Sequence, residues 1–291
     1  MAWALLGVVL FSFSVPLTKV AVEGFDPFLT ATGRAAIAGA IAVVLLARRR
    51  VALPRDQLRP LLVTMLGAVF GWPILLALAL QRTTAAHAAV IAAFMPLTTA
   101  LIAVLRTRER VSWQFWLAAG AGTAALLAFA LSRGGAEGGD ALADALVAGA
   151  VVASSWCYVE GASVTKAMPG WQVISWVVVL ALPITVPASV AIWLVTHTHH
   201  DPTAGAWTSL ALLGVSSMYL GFFAWYRGLA LAGIARGGQV QQLQALLTLA
   251  WSALLLREHV TRVTVLAAVA VIVCVVWAQR ARVPTEAAPQ E

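Results

Sequence analysis

Apolar runs of about 20 residues follow one another along almost the entire chain, and a helix of that length spans the hydrocarbon core of a bilayer. Charged residues make up only 11% of the 291 residues, against about 25% in soluble domains. A water-soluble globule of this size would therefore lack the polar surface that it needs. The sequence predicts an all-α polytopic membrane protein and shows no separate soluble domain.

Charged and glycine-rich segments divide the apolar runs into ten predicted transmembrane spans. Glu23–Pro27 separates the first two spans, and Arg48–Arg50 follows the second. A glycine-rich linker lies near the middle of the chain and leaves five spans on each side. The spans, numbered in chain order throughout, are predicted at 3–22, 27–47, 60–80, 85–105, 112–131, 142–163, 171–195, 206–228, 236–256 and 262–280.

The fourth span and its charged end recur in the ninth span, because aligning Glu109 with Glu258 also aligns Val111 with Val260. A repeated unit of this kind defines the architecture of a chain. Each unit has an odd number of spans, so the second enters the membrane upside down, which is the inverted-repeat plan of secondary transporters. The predicted organisation is a first repeat at 1–133, a linker at 134–141, a second repeat at 142–281 and a disordered tail at 282–291.

Basic residues predict how the chain is oriented in the membrane. With a cytoplasmic N-terminus, thirteen of the 19 Lys and Arg residues lie on the cytoplasmic side, so both termini are predicted inside. The chain starts apolar without a basic segment, which indicates a retained span rather than a cleaved signal peptide. The net charge of +7 does not indicate a nucleic-acid partner, because the arginines lie in short loops. The predicted partner is the lipid bilayer of the cytoplasmic (inner) membrane.

Two five-span repeats with these helix ends resemble the EamA type of the drug/metabolite transporter superfamily. The resemblance rests on Pro96 and Arg108–Arg110 in the first half and on Arg257–Val260 in the second. Arg34 resembles the arginine that family members carry in their second span, whereas Ala245 departs from the pattern where the first half has Pro96. Among the branches of the family, the chain is most similar to the YddG aromatic amino-acid exporters. This resemblance implies a ten-helix bundle with a central cavity that exports aromatic amino acids.

Glutamines at the start of the ninth span are the first candidates for binding a solute. Polar side chains deep in a span usually face the bundle interior or a wet cavity. Gln239 and Gln242 are three residues apart and share a helical face. Their amides offer donors and acceptors for the carboxylate and ammonium of an amino acid. Hydrogen bonding between packed helices would use the same groups, and the sequence leaves both roles open.

Aromatic residues in the sixth and eighth spans are candidates for stacking on an apolar solute. The sixth span carries Ser155, Trp156 and Tyr158, and Trp156 could also hold an ammonium group by a cation–π contact. Tyr219 belongs to a similar aromatic set in the eighth span. Packing within the protein core is the alternative role for all of these rings.

One face of the fourth span carries three further candidates, His87, Phe94 and Thr98. His87 lies near the predicted outer boundary, where it could donate to a carboxylate, titrate near neutral pH, or simply be hydrated. In the third span, Trp72 precedes Pro73, which removes a backbone hydrogen bond in mid-membrane. A kink there could either pivot during transport or be a static bend.

Glu160 is the one carboxylate that we predict in the interior of a span, and it is the candidate residue for coupling transport to protons. The middle of the first span, Phe11–Ser14, carries no acid, which favours a uniporter over a proton antiporter. The histidines after the seventh span have no cysteine or carboxylate cluster beside them, so a hydrated loop is predicted rather than a metal site. No cofactor is predicted.

These patterns together predict a secondary transporter that exports small metabolites, foremost aromatic or hydrophobic amino acids, by alternating access. A proton-coupled exporter of drugs or other metabolites is the alternative. An intramembrane enzyme is disfavoured because the sequence has no HExxH zinc motif and no nucleophile elbow. Small-residue pairs in the fifth span fit close packing either within a monomer or in a homodimer.

Overall fold

The computed structural model describes residues 2–107, 140–197, 201–232, 240–241, 243–257 and 261–280, together with five single residues between 113 and 124. Every regular element in these residues is a helix. Seven of the described helices are long and apolar enough to cross a membrane: Ala2–Gly24, Pro27–Arg49, Arg55–Leu80, Ala85–Arg106, Ala141–Val164, Gly170–Thr196 and Ala204–Leu231. Two further helices, Leu243–Leu255 and Arg262–Arg280, follow them.

These helices confirm the prediction of an all-helical, multi-pass membrane protein for the described residues. The seven long helices coincide with the predicted first to fourth and sixth to eighth spans. The two later helices fall on the predicted ninth and tenth spans. The fifth span, the linker and the disordered tail were predicted on residues that lie almost entirely outside the described ones.

Side-chain caps fix where several spans begin. Asp26 accepts a hydrogen bond from the backbone N–H of Phe28 at 2.8 Å, and Pro27 occupies the first turn, where its missing N–H costs nothing. Asp140 begins the sixth span in the same way and accepts from Leu142 N–H at 3.0 Å. Each such cap stabilises a helix end by about 1 kcal/mol. The predicted break at Glu23–Pro27 therefore has a clear physical cause.

The first span is interrupted at its centre, between Ser12 and Ser14. Pro16 has no N–H, so the carbonyl of Ser12 loses its usual helical partner. Thr248 of the ninth span replaces that partner and donates to the Ser12 carbonyl at 3.0 Å. The indole of Trp251 also donates to Ser12 Oγ at 2.9 Å. Hydrogen bonds at the interruption therefore hold the ninth span against the first span.

The third and eighth spans each contain a π-helical segment, Leu66–Gly71 and Leu213–Gly221. In the third span, Pro73 follows directly in the first turn of the next helix, as expected from a residue without an N–H. Such segments are rare and often lie at functional sites. Because the two spans occupy equivalent places in the predicted repeats, both halves of the chain carry the same irregularity.

Glycines allow the first and eighth spans to touch backbone to backbone. A Cβ atom at Gly7 would lie 2.9 Å from the backbone nitrogen of Trp225, and one at Gly228 would lie 2.5 Å from that of Ala4. Small residues at helix crossings are typical of membrane bundles, because close approach increases van der Waals contact. The first span, from the first half of the chain, and the eighth span, from the second half, are therefore in direct contact.

The outer surface of the bundle is apolar, as expected for contact with lipid. Large aliphatic side chains remain exposed along several spans, including Val44 at 51%, Leu194 at 65% and Leu266 at 68%. Soluble monomers rarely expose contiguous apolar surface on this scale. The polar side chains that the spans carry are mostly buried instead, among them Ser14, Arg34 and Ser217.

Candidate functional site

A small cavity lies between the two halves of the chain. Its volume is about 20 Å³, which is room for about one water molecule, so the bundle is closed around it. The described residues that line it come from the first, second, third, sixth, eighth and ninth spans. They are Phe11, Ser14, Arg34, Ala68, Trp72, Ser154, Tyr158, Ser217, Phe222 and Gln244.

The cavity lies deep within the bundle. At 1.5 Å per residue, Arg34 is about 10 Å from the start of its helix at Pro27. Phe11 is about 14 Å from the start of its helix at Ala2. The solute sites of inverted-repeat transporters lie at this depth, between the halves.

Arg34 is the only charged residue among the described lining residues, and it is just 2% exposed. Its Nη2 donates to Ser217 Oγ at 2.8 Å and contacts Ser14 Oγ at 3.5 Å. Its Nε and Nη1 have no acceptor among the described residues. None of the three ion pairs found in those residues includes Arg34. The second span therefore places a buried cation at the cavity, and this cation has no counter-ion among the described residues.

Aromatic rings form another part of the cavity wall. The rings of Phe11 and Phe222 meet edge to face with centroids 5.0 Å apart. Tyr158 lies 6.1 Å from Phe11 and 5.9 Å from Phe222, again between ring centroids. Trp72 of the third span completes the aromatic lining. A flat or aliphatic group would find favourable contacts on these faces.

The repeated fourth and ninth spans meet beside this cavity. Gln241 Nε2 donates to the sulfur of Met95 at 3.3 Å. Gln244 lines both the central cavity and a smaller one next to it, and its Oε1 has no donor among the described residues. The ninth span thus contributes amide groups of Gln241 and Gln244 near the centre, whereas the predicted solute-binding residues Gln239 and Gln242 lie outside the described residues.

Among the candidates that fall on described residues, Trp72 and Tyr158 line the cavity. Two others connect helices instead. Ser155 donates to the Met95 carbonyl of the fourth span at 3.3 Å. The hydroxyl of Tyr219 lies 2.8 Å from Ser175 Oγ of the seventh span.

Trp156 points away from the cavity, and 45% of it is exposed on the outside of the bundle. The helical period explains this placement. Ser154 and Tyr158 are four residues apart and share the face that lines the cavity, whereas Trp156 is two residues from each and lies on the opposite face. The Trp156 ring therefore lies on the outer surface of the bundle and does not line the cavity.

The three candidates of the fourth span also lie away from the cavity. His87 is buried near the start of the span, where its Nε2 lies 2.6 Å from Asp144 Oδ1 of the sixth span. The Thr98 hydroxyl donates to the carbonyl of Phe94 at 3.1 Å, within its own helix. Phe94 and Thr98 are half-buried and are not among the described lining residues.

Glu160 lies near the other end of the sixth span, only 6% exposed. Its Oε1 accepts from Arg106 Nε at 2.9 Å. An acid held in an ion pair at a helix end is not placed to contact a solute in the cavity. Among the described residues, no group of three or more His, Cys, Asp or Glu side chains could hold a metal ion.

A second ion pair accompanies His87 and Asp144 at the same end of the bundle. Arg82 Nη1 donates to Asp140 Oδ2 at 2.9 Å. This hydrogen bond holds the pKa of Asp140 below its ordinary value. Close by, Lys19 Nζ donates to the carbonyl of Leu80 at 2.7 Å. Polar contacts therefore tie the first, third, fourth and sixth spans together at this end.

The candidate residues selected from the sequence alone did not include Arg34, which was noted only through the family resemblance. They also omitted seven other lining residues. Ser154, Phe222 and Gln244 belong to the polar and aromatic sets of the sixth, eighth and ninth spans, whereas Phe11, Ser14, Ala68 and Ser217 belong to no such set. One signal was available for Arg34, because a lone cation in an apolar span marks a functional site. The small hydroxyl residues carried no such signal, since serines are common at helix contacts in membranes.

The sequence matches the model of the EamA-like transporter family twice, over residues 1–131 and 141–278. It is 42% identical over 277 residues to an uncharacterized transporter, YdeK, of Bacillus subtilis (strain 168), covering 94% of this chain and 95% of that protein. A solved crystal structure superimposes with a TM-score of 0.64 at 19% identity, covering 96% of this chain and 98% of its own, which shows a shared fold. The chain belongs to the EamA-like transporter family.

Proposed function

We propose that the chain is a secondary transporter that exports aromatic and other hydrophobic amino acids across the cytoplasmic membrane. In this proposal ten spans form two inverted five-span repeats, both termini are cytoplasmic, and the central cavity alternates in access between the two sides. One observation carries the choice of solute. The cavity combines the buried cation Arg34 with the rings of Phe11, Tyr158 and Phe222.

The cavity suits the parts of a hydrophobic amino acid. The carboxylate would pair with the guanidinium of Arg34, and the side chain would lie against the aromatic wall. The ammonium would donate to the Oε1 of Gln244 or to the ring faces. The cavity is therefore complementary to a solute that has one negative group and an apolar body.

Access requires the spans to separate, because a cavity of about 20 Å³ does not admit an amino acid. The irregular segments offer places where helices can bend without breaking further hydrogen bonds. They are the interruption after Ser12 and the two π-helical segments, Leu66–Gly71 and Leu213–Gly221. All three adjoin residues that line the cavity, so bending there would change its shape directly.

Transport down the gradient of the solute itself fits the chemistry of the cavity. None of the described lining residues is acidic or a histidine, so no side chain there exchanges a proton near neutral pH. The titratable residues His87 and Glu160 are both held in ion pairs at the ends of the bundle. A uniporter needs no proton carrier in contact with its solute.

Counterflow in proteoliposomes tests this function. Vesicles loaded with an unlabelled amino acid would take up labelled phenylalanine, tryptophan, leucine or threonine, with and without a pH gradient. We expect uptake of phenylalanine and tryptophan without a gradient, and little uptake of threonine. Folded protein that takes up none of these amino acids would contradict the proposal.

A proton-coupled exporter of drugs or other metabolites is the second candidate, and the buried His87–Asp144 pair is the observation that favours it. Histidine and carboxylate side chains that face each other inside a bundle are the groups of which proton relays are built. Uptake that appears only with a pH gradient, and that disappears in His87→Gln, would support this candidate over the uniporter.

A further inference from the structure

The environment of Arg34 restricts the solute more narrowly than the proposed function does. A guanidinium stays protonated in proteins, so burial does not neutralise it. An unpaired buried charge is strongly unfavourable, and native proteins normally pair it. Arg34 is 2% exposed, and two of its three nitrogens have no acceptor among the described residues. Among the described residues, this cation therefore lacks a counter-ion, and its Nε and Nη1 lack acceptors.

The hydroxyls beside Arg34 position the guanidinium without neutralising it. Ser217 belongs to the π-helical segment of the eighth span, and its Oγ accepts from Nη2 at 2.8 Å. Ser14 follows the interruption in the first span and contacts the same nitrogen at 3.5 Å. Elements from both halves thus hold one edge of the guanidinium, while Nε and Nη1 stay open to another acceptor.

The formal charge that the described residues bring to the cavity is positive. The described lining residues include one cation, Arg34, and no carboxylate. A solute ammonium would find only hydroxyl, amide and aromatic groups, whereas a solute carboxylate would find a full opposite charge with free donors. A cavity of this composition is complementary to an anion with an apolar body rather than to a zwitterion specifically.

We propose that Arg34 is the carboxylate-binding residue of the cavity and that the solute is recognised as an aromatic or hydrophobic carboxylate, with its ammonium group dispensable. This inference rests on the proposed function for the place of the site in transport, although binding itself can be measured separately. Hydrophobic carboxylates without an amino group are then bound as well as the amino acids. Hydrophobic amines without a carboxylate are rejected.

The test is ligand binding to purified protein in detergent, followed by the rise in unfolding temperature that a bound ligand causes. The probes are phenylalanine, 3-phenylpropanoate, which lacks the ammonium, and phenethylamine, which lacks the carboxylate. We expect 3-phenylpropanoate to bind at least as tightly as phenylalanine. Loss of a charged hydrogen-bond partner predicts binding of phenethylamine roughly 10- to 100-fold weaker. Equal binding of phenethylamine and phenylalanine would overturn the inference.

Variants assign the effect to Arg34. In Arg34→Gln the preference for 3-phenylpropanoate over phenethylamine should disappear, whereas Arg34→Lys should keep part of it because the charge remains. Arg49→Gln is the matched control, since Arg49 lies on the same helix but is exposed at its end. If Arg34→Gln does not fold, the three probes on the wild-type protein still decide the question.

Three further outcomes distinguish a hydrophobic carboxylate from an inorganic anion as the ligand, and binding at the site from transport. Sodium chloride that stabilises the protein as much as 3-phenylpropanoate at equal ionic strength would mark a site for inorganic anions and would overturn the inference. Failure of counterflow, with the expected binding preference intact, would remove the proposed transport function alone. Phenylalanine counterflow with equal binding of phenethylamine would remove this inference alone.

Discussion

Basic side chains at the ends of the bundle and at its centre differ in their partners. At the ends, Arg82, His87 and Arg106 each pair with a carboxylate of the sixth span or of its cap, at distances of 2.6 to 2.9 Å. At the centre, the described hydrogen bonds of Arg34 go to serine hydroxyls. The arginines at the ends are neutralised by carboxylates of the protein itself, whereas the arginine at the centre has no counter-ion among the described residues.

The paired ends also indicate which contacts the proposed transport cycle would break. All three described ion pairs join the fourth span, or the loop before it, to the sixth span or its cap at Asp140. Two of them lie at the end predicted to face outward, and the Arg106–Glu160 pair lies at the other end. The two spans are therefore held together at both ends, and in the proposed alternating-access cycle an opening between them would separate one set of pairs.

The largest effect at the ends is expected from Arg106→Gln. Glu160 is buried while Arg106 is 61% exposed, so removal of the arginine leaves a buried carboxylate without its partner. We expect a loss of about 2 kcal/mol in unfolding free energy, less than for a fully buried pair. The matched variant Glu160→Gln leaves the exposed arginine hydrated and should cost less than about 1 kcal/mol. Equal losses would contradict this account of the pair.

A smaller effect is expected from Asp144→Asn, which removes the charge opposite His87 but keeps an acceptor. Loss of a charge-assisted hydrogen bond of about 1.5 kcal/mol shifts a closed–open equilibrium roughly tenfold. The measurement is the rate at which an impermeant maleimide labels a cysteine placed at Ala68 in the cavity, with both native cysteines replaced. Labelling from the predicted outer side should accelerate about tenfold, while labelling from the inner side should not increase. Unchanged rates on both sides would show that this pair does not close the cavity.

The smallest effect is expected from Asp140→Asn, because this ion pair is exposed. Its lowered pKa means that the charged carboxylate favours the folded protein above its unfolded pKa of about 4. That contribution is lost as pH falls through the folded pKa. Asparagine also caps helices well, so the variant isolates the charge. The unfolding temperature should be slightly lower than that of the wild type near neutral pH, and the difference should shrink as the pH falls below about 4 and vanish below the folded pKa.

Local sequence patterns were sufficient to predict much of the fold. The cap at Asp26–Pro27 and the apolar runs located the long helices, because their causes lie within a few neighbouring residues. The same local logic selected Trp72 and Tyr158, which line the cavity. It failed for Trp156, because no local pattern indicates which face of the sixth span points inward.

Contacts between distant spans could not be predicted in this way. The His87–Asp144 pair joins residues 57 apart, and Arg34 meets Ser217 across 183 residues. Such pairs depend on how the helices pack rather than on any local motif. Arg34 has no carboxylate partner among the described residues. This feature depends on its neighbours from the first and eighth spans, which no local pattern around Arg34 indicates.

Competition against phenylalanine counterflow tests the central claim most directly. Proteoliposomes would take up labelled phenylalanine in the presence of 3-phenylpropanoate or phenethylamine, in the wild type and in Arg49→Gln. The account predicts that 3-phenylpropanoate inhibits uptake in both proteins and that phenethylamine at the same concentration leaves it unchanged. Inhibition by phenethylamine equal to that by 3-phenylpropanoate would show that Arg34 does not select the solute by its carboxylate.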